Sequence, residues 1–208
     1  MTRYGLPQGA LTGAHDIICP NRHGGLTLGG SVRLAKGRVH EVQGESADCF
    51  ALIAAASLKG QAVWIGAAGH VASLNPPAVQ TFLDPAQLTV VEAVSRLEAL
   101  WAGEQALRAQ GAGCVVIELS NGTDLKESRR LQLAAEESGA LGLVLISGRA
   151  QTSAAETRWH CMPSPDGELS WIWDCTKSRK GELSAWRVKW LGNGDGSNTV
   201  HLVAATAA

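Results

Sequence analysis

The stretch GRVHEVQGESADCFA at 37–51 has the frame of a phosphate loop and none of its chemistry. Such a loop reads G-x-x-x-x-G-K-[ST] between a strand and a helix. Its glycines let backbone amides wrap the phosphates, its lysine lies over the β/γ-phosphates, and its hydroxyl holds magnesium. Here residues 39–42 read as a short strand, Gly44 opens a turn, and residues 48–58 read as an apolar helix. Counting from Gly44 places Cys49 at the second glycine, Phe50 at the lysine and Ala51 at the hydroxyl position. Each change removes a different contribution, so the stretch predicts a nucleotide-loop scaffold without a bound cofactor.

A second constellation, His15, Cys19 and His23, recurs at intervals of four. On a helix that spacing would align three metal ligands, but Pro20 interrupts any helix there. No other Cys/His group has the usual zinc spacing, so a polar lead-in is expected here and no metal centre.

The elements that must carry these residues follow from the hydrophobic pattern. Residues 61–66, 88–93, 114–119 and 141–146 are apolar runs of strand length. Between them, residues 76–82 read as a short helix capped by Asn75, and 94–109 as a longer one with Leu97, Leu100, Trp101 and Glu104 at helical intervals. Asp124 with Glu127 forms a capping box that opens a further helix. Strands without alternation, separated by helices, predict an α/β fold with a mostly parallel sheet covered on both sides. After Arg149 the period changes to two. Residues 168–174 and 185–191 flank the polar stretch 176–181, the pattern of an antiparallel hairpin at one sheet edge. Its tryptophans, Trp171, Trp173, Trp186 and Trp190, either pack on the core or form an aromatic docking face.

The chain of 208 residues carries 18 Lys and Arg against 19 Asp and Glu, a net charge of −1. Overall charge therefore gives no strong nonspecific grip on nucleic acid and leaves only a local patch. The organisation expected is a weakly structured segment 1–30, one domain 31–191 and a tail 192–208. No apolar run approaches the ~18 residues of a membrane span, and the opening residues lack a signal-peptide core. Five scattered cysteines suit buried free thiols in a reducing cytoplasm.

This order of elements resembles the RecA core, a three-layer α/β sandwich. More narrowly, the motifs GRVHEV, NPPAV, LWAGEQALR, RRLQLAAE and ETRW (156–159), with the closing pair Trp186 and Trp190, resemble the ImuA family of bacterial damage-induced mutagenesis. The resemblance covers about residues 33–191. It implies that Phe50 stands at the loop lysine, Ala68 near the water-activating glutamate, and Glu118 at the metal-binding acid. With positioning and water activation missing, a lone Glu118 reads as structural and the chain as a pseudo-ATPase.

The resemblance further implies a non-catalytic accessory protein of SOS-induced translesion synthesis. Its implied partners are an ImuB-like inactive Y-family polymerase, an error-prone replicative-type DNA polymerase and RecA. The hairpin residues Arg179, Lys180, Trp186, Arg187, Lys189 and Trp190 form the expected partner surface, since basic and aromatic residues are enriched at binding hot spots. Residues 120–124 and 147–156 stand where RecA has its DNA-binding loops. Arg149, Arg158 and Trp159 are candidate DNA contacts there, with Lys126, Arg129 and Arg130 on the neighbouring helix. The plainer reading of that helix is a solvated face with Lys126 and Arg130 four residues apart. Two other functions stay open: a SulA-type cell-division inhibitor, and an ATPase or nucleotide sensor with an unconventional loop, against which Asp48 would repel phosphate.

Overall fold

Every side chain of LGLVLI, residues Leu141–Ile146, is buried, and the strand lies where such a run must, inside a sheet covered on both faces. The computed structural model describes residues 24–29, 31–67, 71, 74–165, 169–179, 181, 183–192 and 198–204, the last from 191 onward by backbone alone. Along the chain the strands are β1 (Gly25–Leu28), β2 (Val32–Ala35), β3 (Val39–Gln43), β4 (Gln61–Ala67), β5 (Leu88–Ala93) and β6 (Ala112–Leu119). They continue as β7 (Leu141–Ile146), β8 (Thr157–Pro163), β9 (Ser170–Ser178), β10 (Ala185–Gly192) and β11 (Asn198–Ala204). The helices are α1 (Ala47–Ala56), α2 (Pro76–Gln80), α3 (Arg96–Arg108) and α4 (Leu125–Ser138).

The main sheet runs β11-β10-β9-β8-β3-β7-β6-β4-β5. From β8 to β5 all neighbours are parallel, whereas β8, β9, β10 and β11 pair antiparallel. One face carries α1, α2 and the β1–β2 hairpin over residues such as Val42, Trp64, Val116, Leu143 and Trp173. The opposite face carries α3 and α4 over Ile65, Val115, Ile117, Val144 and Ile146. This is a RecA-like three-layer sandwich.

Local chemistry explains the helix that fixes the second face. The Asp124 carboxylate accepts from the Glu127 amide at 2.7 Å, and the Glu127 carboxylate accepts from the Asp124 amide at 3.0 Å. This capping box is worth about 1 kcal/mol. At the other end Gly139 adopts φ 86°, a left-handed conformation that costs glycine little. At α2, by contrast, Asn75 occupies the cap position without a side-chain cap bond.

Three boundaries differ from expectation. Among the described residues the first element is a hairpin from Gly25, because Leu26, Leu28, Val32 and Leu34 bury their side chains against the first face. Residues 198–204 form β11 and pair with β10 through main-chain bonds, so the expected tail supplies the edge strand. Strand β8, absent from the sequence reading, joins the parallel and antiparallel halves of the sheet. His15, Cys19 and His23 lie outside the described residues, among which no group of metal ligands occurs. Cys114, Cys161 and Cys175 are buried thiols. Burial pushes Cys114 up to about 12 and Cys175 up to about 11, which leaves both unreactive. No helix among the described residues is long and apolar enough to cross a membrane.

Candidate functional site

Between β3 and α1 only Gly44, Glu45 and Ser46 intervene. Gly44 has φ 100°, and a Cβ there would lie 2.2 Å from the Cys161 carbonyl oxygen. Glycine is needed for both the left-handed turn and the close approach to β8. The Ser46 amide donates to that same carbonyl at 3.2 Å, and the Ala47 amide donates to the Gly44 carbonyl at 3.1 Å. Two amides that could have faced a phosphate are thus held by main-chain acceptors. Phe50, at the lysine position, is fully buried. Its ring meets Trp173 at 4.6 Å and Trp159 at 5.7 Å. Ala51 is buried, and burial, aided by Asp48, raises the pKa of the half-buried Cys49 thiol.

Glu118, at the acid position, accepts the Trp64 indole N–H at 2.9 Å. Its carboxylate lies over Gly66, where a Cβ would stand 2.5 Å from Oε2. This bond ties β6 to β4. Residues 68–70, which include the expected water-activating position, lie outside the described residues.

The motifs GRVHEV and ETRW meet across the β3–β8 pair. Arg38 reaches Glu156 at 3.8 Å and Glu136 at 3.0 Å. Glu41, fully buried, receives Arg158 at 2.7 Å and the Thr123 hydroxyl at 3.2 Å. His40, equally buried, has Nδ1 2.7 Å from Thr157 Oγ1 and Nε2 3.1 Å from the Ala35 carbonyl. The Trp159 indole N–H donates to the Thr157 hydroxyl at 2.7 Å. The directions close in one way: indole to hydroxyl, hydroxyl to Nδ1, and Nε2–H to carbonyl. Burial pulls the His40 pKa down to about 4, keeping the ring neutral.

The expected DNA contacts therefore separate. Trp159 is buried in the Phe50 cluster and offers no stacking face, a correction that follows from its place on the core side of β8. Arg130 is exposed, as the plainer reading of this helix expects, and donates to Glu104 at 2.5 Å, which clasps α3 to α4. Lys126 and Arg129 are exposed on α4. Arg149 and Arg158 come together in an open groove of about 780 Å³, lined also by Asn121, Gln151, Ser153 and Lys177. Sequence reading missed Lys177 and Ser153, since only the Arg158–Lys177 strand register and the crossing of residues 149–153 unite them.

The hairpin is likewise corrected. Trp190 is buried, its ring 5.2 Å from Phe82, and Trp171 lies 6.0 Å from Phe82. Trp186 is half-buried, with its indole N–H on Ser184 Oγ at 3.0 Å. Alternation sends these rings to the core face of β10 and Arg187 and Lys189 outward, so the outer face is cationic and not aromatic. Arg179 donates to the Ala154 carbonyl at 3.3 Å, and Lys180 lies outside the described residues. The exposed aromatic surface is elsewhere. On α3, Leu97 is 75% and Trp101 59% exposed beside a groove of about 420 Å³. Ala99, Gly103, Glu104 and Leu107 are the residues α3 buries.

Strand order and layers define the class: a RecA-like sandwich in which the turn after the first core strand is closed by core packing. No family model matches the chain. It is similar to Protein ImuA of Caulobacter vibrioides, strain NA1000 / CB15N, at 29% identity over 88% of this chain and 84% of that protein. The same figures hold for Protein ImuA of the strain ATCC 19089 / CIP 103742 / CB 15. Both likenesses span most of each chain and support a relation to the ImuA proteins.

Proposed function

We propose that the protein is a non-catalytic accessory factor of damage-induced, error-prone DNA synthesis, acting in the cytoplasm through contacts with other proteins. Its similarity to Protein ImuA supports the setting. The observation that carries the non-catalytic reading is the closed turn: Phe50 fills the core where a phosphate loop presents its lysine. A binding site for the triphosphate would have to expel that ring from contact with Trp159 and Trp173. The proposed partners are an ImuB-like inactive Y-family polymerase, an error-prone replicative-type polymerase and RecA.

Two surfaces suit such contacts. Leu97 and Trp101 stand one helical turn apart on α3, beside the ion pairs Arg96–Glu127 and Glu104–Arg130. An apolar centre with a polar rim is the usual anatomy of an interface. The outer face of β10, with Arg187 and Lys189, suits an acidic partner segment.

Reconstitution with the purified ImuB-like protein tests the reading, with magnesium ATP titrated in parallel. Complex formation without ATP, weakened about tenfold or more by Trp101→Ala, supports it. Micromolar ATP affinity would restore the nucleotide-sensor reading. Filamentous cells on overexpression, with unchanged damage-induced mutation frequency, would favour a division inhibitor.

A further inference from the structure

We propose that the groove between β8–β9 and residues 149–153 is an oxyanion site that takes a phosphate group on Lys177, Arg149, Arg158 and the Ser153 hydroxyl. This goes beyond the accessory role above and stands apart from the closed turn. The core cluster under α3 and α4 contains no residue of β8, β9 or β10 among the described residues. That part of the sheet is crossed instead by the connection from β7 to β8. It is pinned by Gln43 on the Gly148 carbonyl at 3.2 Å, Ser128 Oγ on the Ala154 amide at 2.8 Å, and the Glu156 amide on the Val39 carbonyl at 2.8 Å. A connection held at three points beside an open groove is a built wall.

The chemistry of the lining is that of an anion site. Lys177 Nζ donates to the Ser153 carbonyl at 2.8 Å, which fixes the ammonium in the groove and leaves two of its three N–H groups for other acceptors. Arg158 spans from Glu41 to the Gln151 carbonyl, so its guanidinium is rigidly placed. Arg149 is exposed on the rim. Of the carboxylates nearby, Glu41 lies buried beneath Arg158 and Glu156 faces Arg38. Positive charge is left in excess.

The independent sign of a ligand is Ser153. It is 7% exposed, lines the groove, and its Oγ has no hydrogen-bond partner among the described residues. A buried hydroxyl without a partner costs about 1–3 kcal/mol, and an acceptor oxygen delivered by a ligand would relieve it. Lys177 points the same way. Its pKa is lowered, chiefly by burial, with Arg158 and Arg179 pushing in the same direction against Glu41 and Glu156. A bound dianion would reverse that shift. Lysine, arginine and hydroxyl donors together match phosphate better than a lone carboxylate.

The phosphate could belong to a polynucleotide strand or to a free nucleotide, and the two are separable. The full chain is titrated at low salt with a fluorescein-labelled oligothymidylate, followed by anisotropy, with thymidine monophosphate and inorganic phosphate as competitors. Lys177→Gln and Arg149→Gln are each expected to weaken oligothymidylate binding about tenfold and to reduce the salt slope by about 0.7. Their thermal midpoints and their ImuB-like partner binding should stay at the wild-type values, which separates this site from the proposed partner surfaces. Saturable competition by the mononucleotide assigns the site to free nucleotides; competition by longer strands alone assigns it to polynucleotides. Oligothymidylate and phosphate that fail to bind, or that bind both folded variants unchanged, would overturn the proposal. So would Lys177-dependent binding of polyglutamate without phosphate binding.

Discussion

Replacing Arg158 with methionine should test whether the β3–β8 junction is held by polar pairing. The wild-type guanidinium places Nη2 2.7 Å and Nε 2.8 Å from Glu41 Oε2, and the carboxylate is fully buried. In the variant Glu41 keeps only the Thr123 hydroxyl at 3.2 Å. Breaking a buried pair costs about 3–5 kcal/mol, because the surviving charge stays desolvated. Arg158 is 19% exposed, so solvent reaches the pair and the lower end, about 3 kcal/mol, is expected. For a chain of this size that is on the order of 10 °C in midpoint. Urea unfolding followed by tryptophan fluorescence reads the change directly. The double variant Glu41→Met with Arg158→Met removes both charges and should recover most of the loss. A cost below about 1 kcal/mol for the single variant, or a double variant no better than the sum, would refute the pairing argument.

Three further outcomes follow from the same junction and turn. His40 is held neutral with a pKa of about 4 against 6.5 when unfolded, so the unfolded chain binds more protons between these values. Stability is complete above about pH 6.5 and falls by about 3 kcal/mol as pH drops to 4; urea midpoints against pH should lose that slope in His40→Gln. Gly44→Ala must strain a backbone at φ 100° and drive Cβ into the Cys161 carbonyl, so its thermal midpoint should fall by an amount equal to at least about 1–3 kcal/mol. Phe50→Lys restores the loop's residue type but places an ammonium at a fully buried position; it should lower the urea midpoint by more than the ~3–5 kcal/mol of Phe50→Ala, and calorimetry should detect no gain of ATP binding.

What the sequence could disclose was set by how local the cause was. The capping box at Asp124 and the strands Leu88–Ala93 and Leu141–Ile146 depend on neighbouring residues, and they stand at the predicted positions. Alternation in β10 correctly divided its side chains between two faces, but it carried no information on which face was inward; the deciding contact is Phe82, far away in the chain. On α3 the periodic signal came from Leu97, Leu100, Trp101 and Glu104, of which Leu97 and Trp101 are exposed. The buried residues are Ala99, Gly103, Glu104 and Leu107, and a Cβ on Gly103 would meet Ile117 at 2.2 Å. Small residues that permit close approach leave little trace in hydrophobicity. Strand β8 was hidden because TRWHCMP mixes a buried threonine and half-buried arginine and histidine with its apolar residues. Lys177 and Ser153 share a groove only after two strands and a connection have folded together.

The polar residues of β3 pose the deeper question, since a central strand flanked by β7 and β8 has no natural place for His40 and Glu41. Burying them costs free energy unless every polar atom finds a partner. Here each residue has one partner on β8, Thr157 for His40 and Arg158 for Glu41, both 117 residues away, beside the Ala35 carbonyl and the Thr123 hydroxyl. An apolar β3 would accept any apolar strand in any register. With these pairs, a one-residue slip of β8 would turn Arg158 to the other face and leave Glu41 buried without its cation. The same register brings the Cys161 carbonyl to the Ser46 amide and Trp159 to Phe50. Thus the pairing that selects β8 as the neighbour of β3 also closes the turn after β3. The buried polar residues of GRVHEV are thus accounted for by strand selection, and the surfaces proposed for contact with other molecules, the groove at Lys177, the exposed face of α3 and the outer face of β10, all lie apart from them.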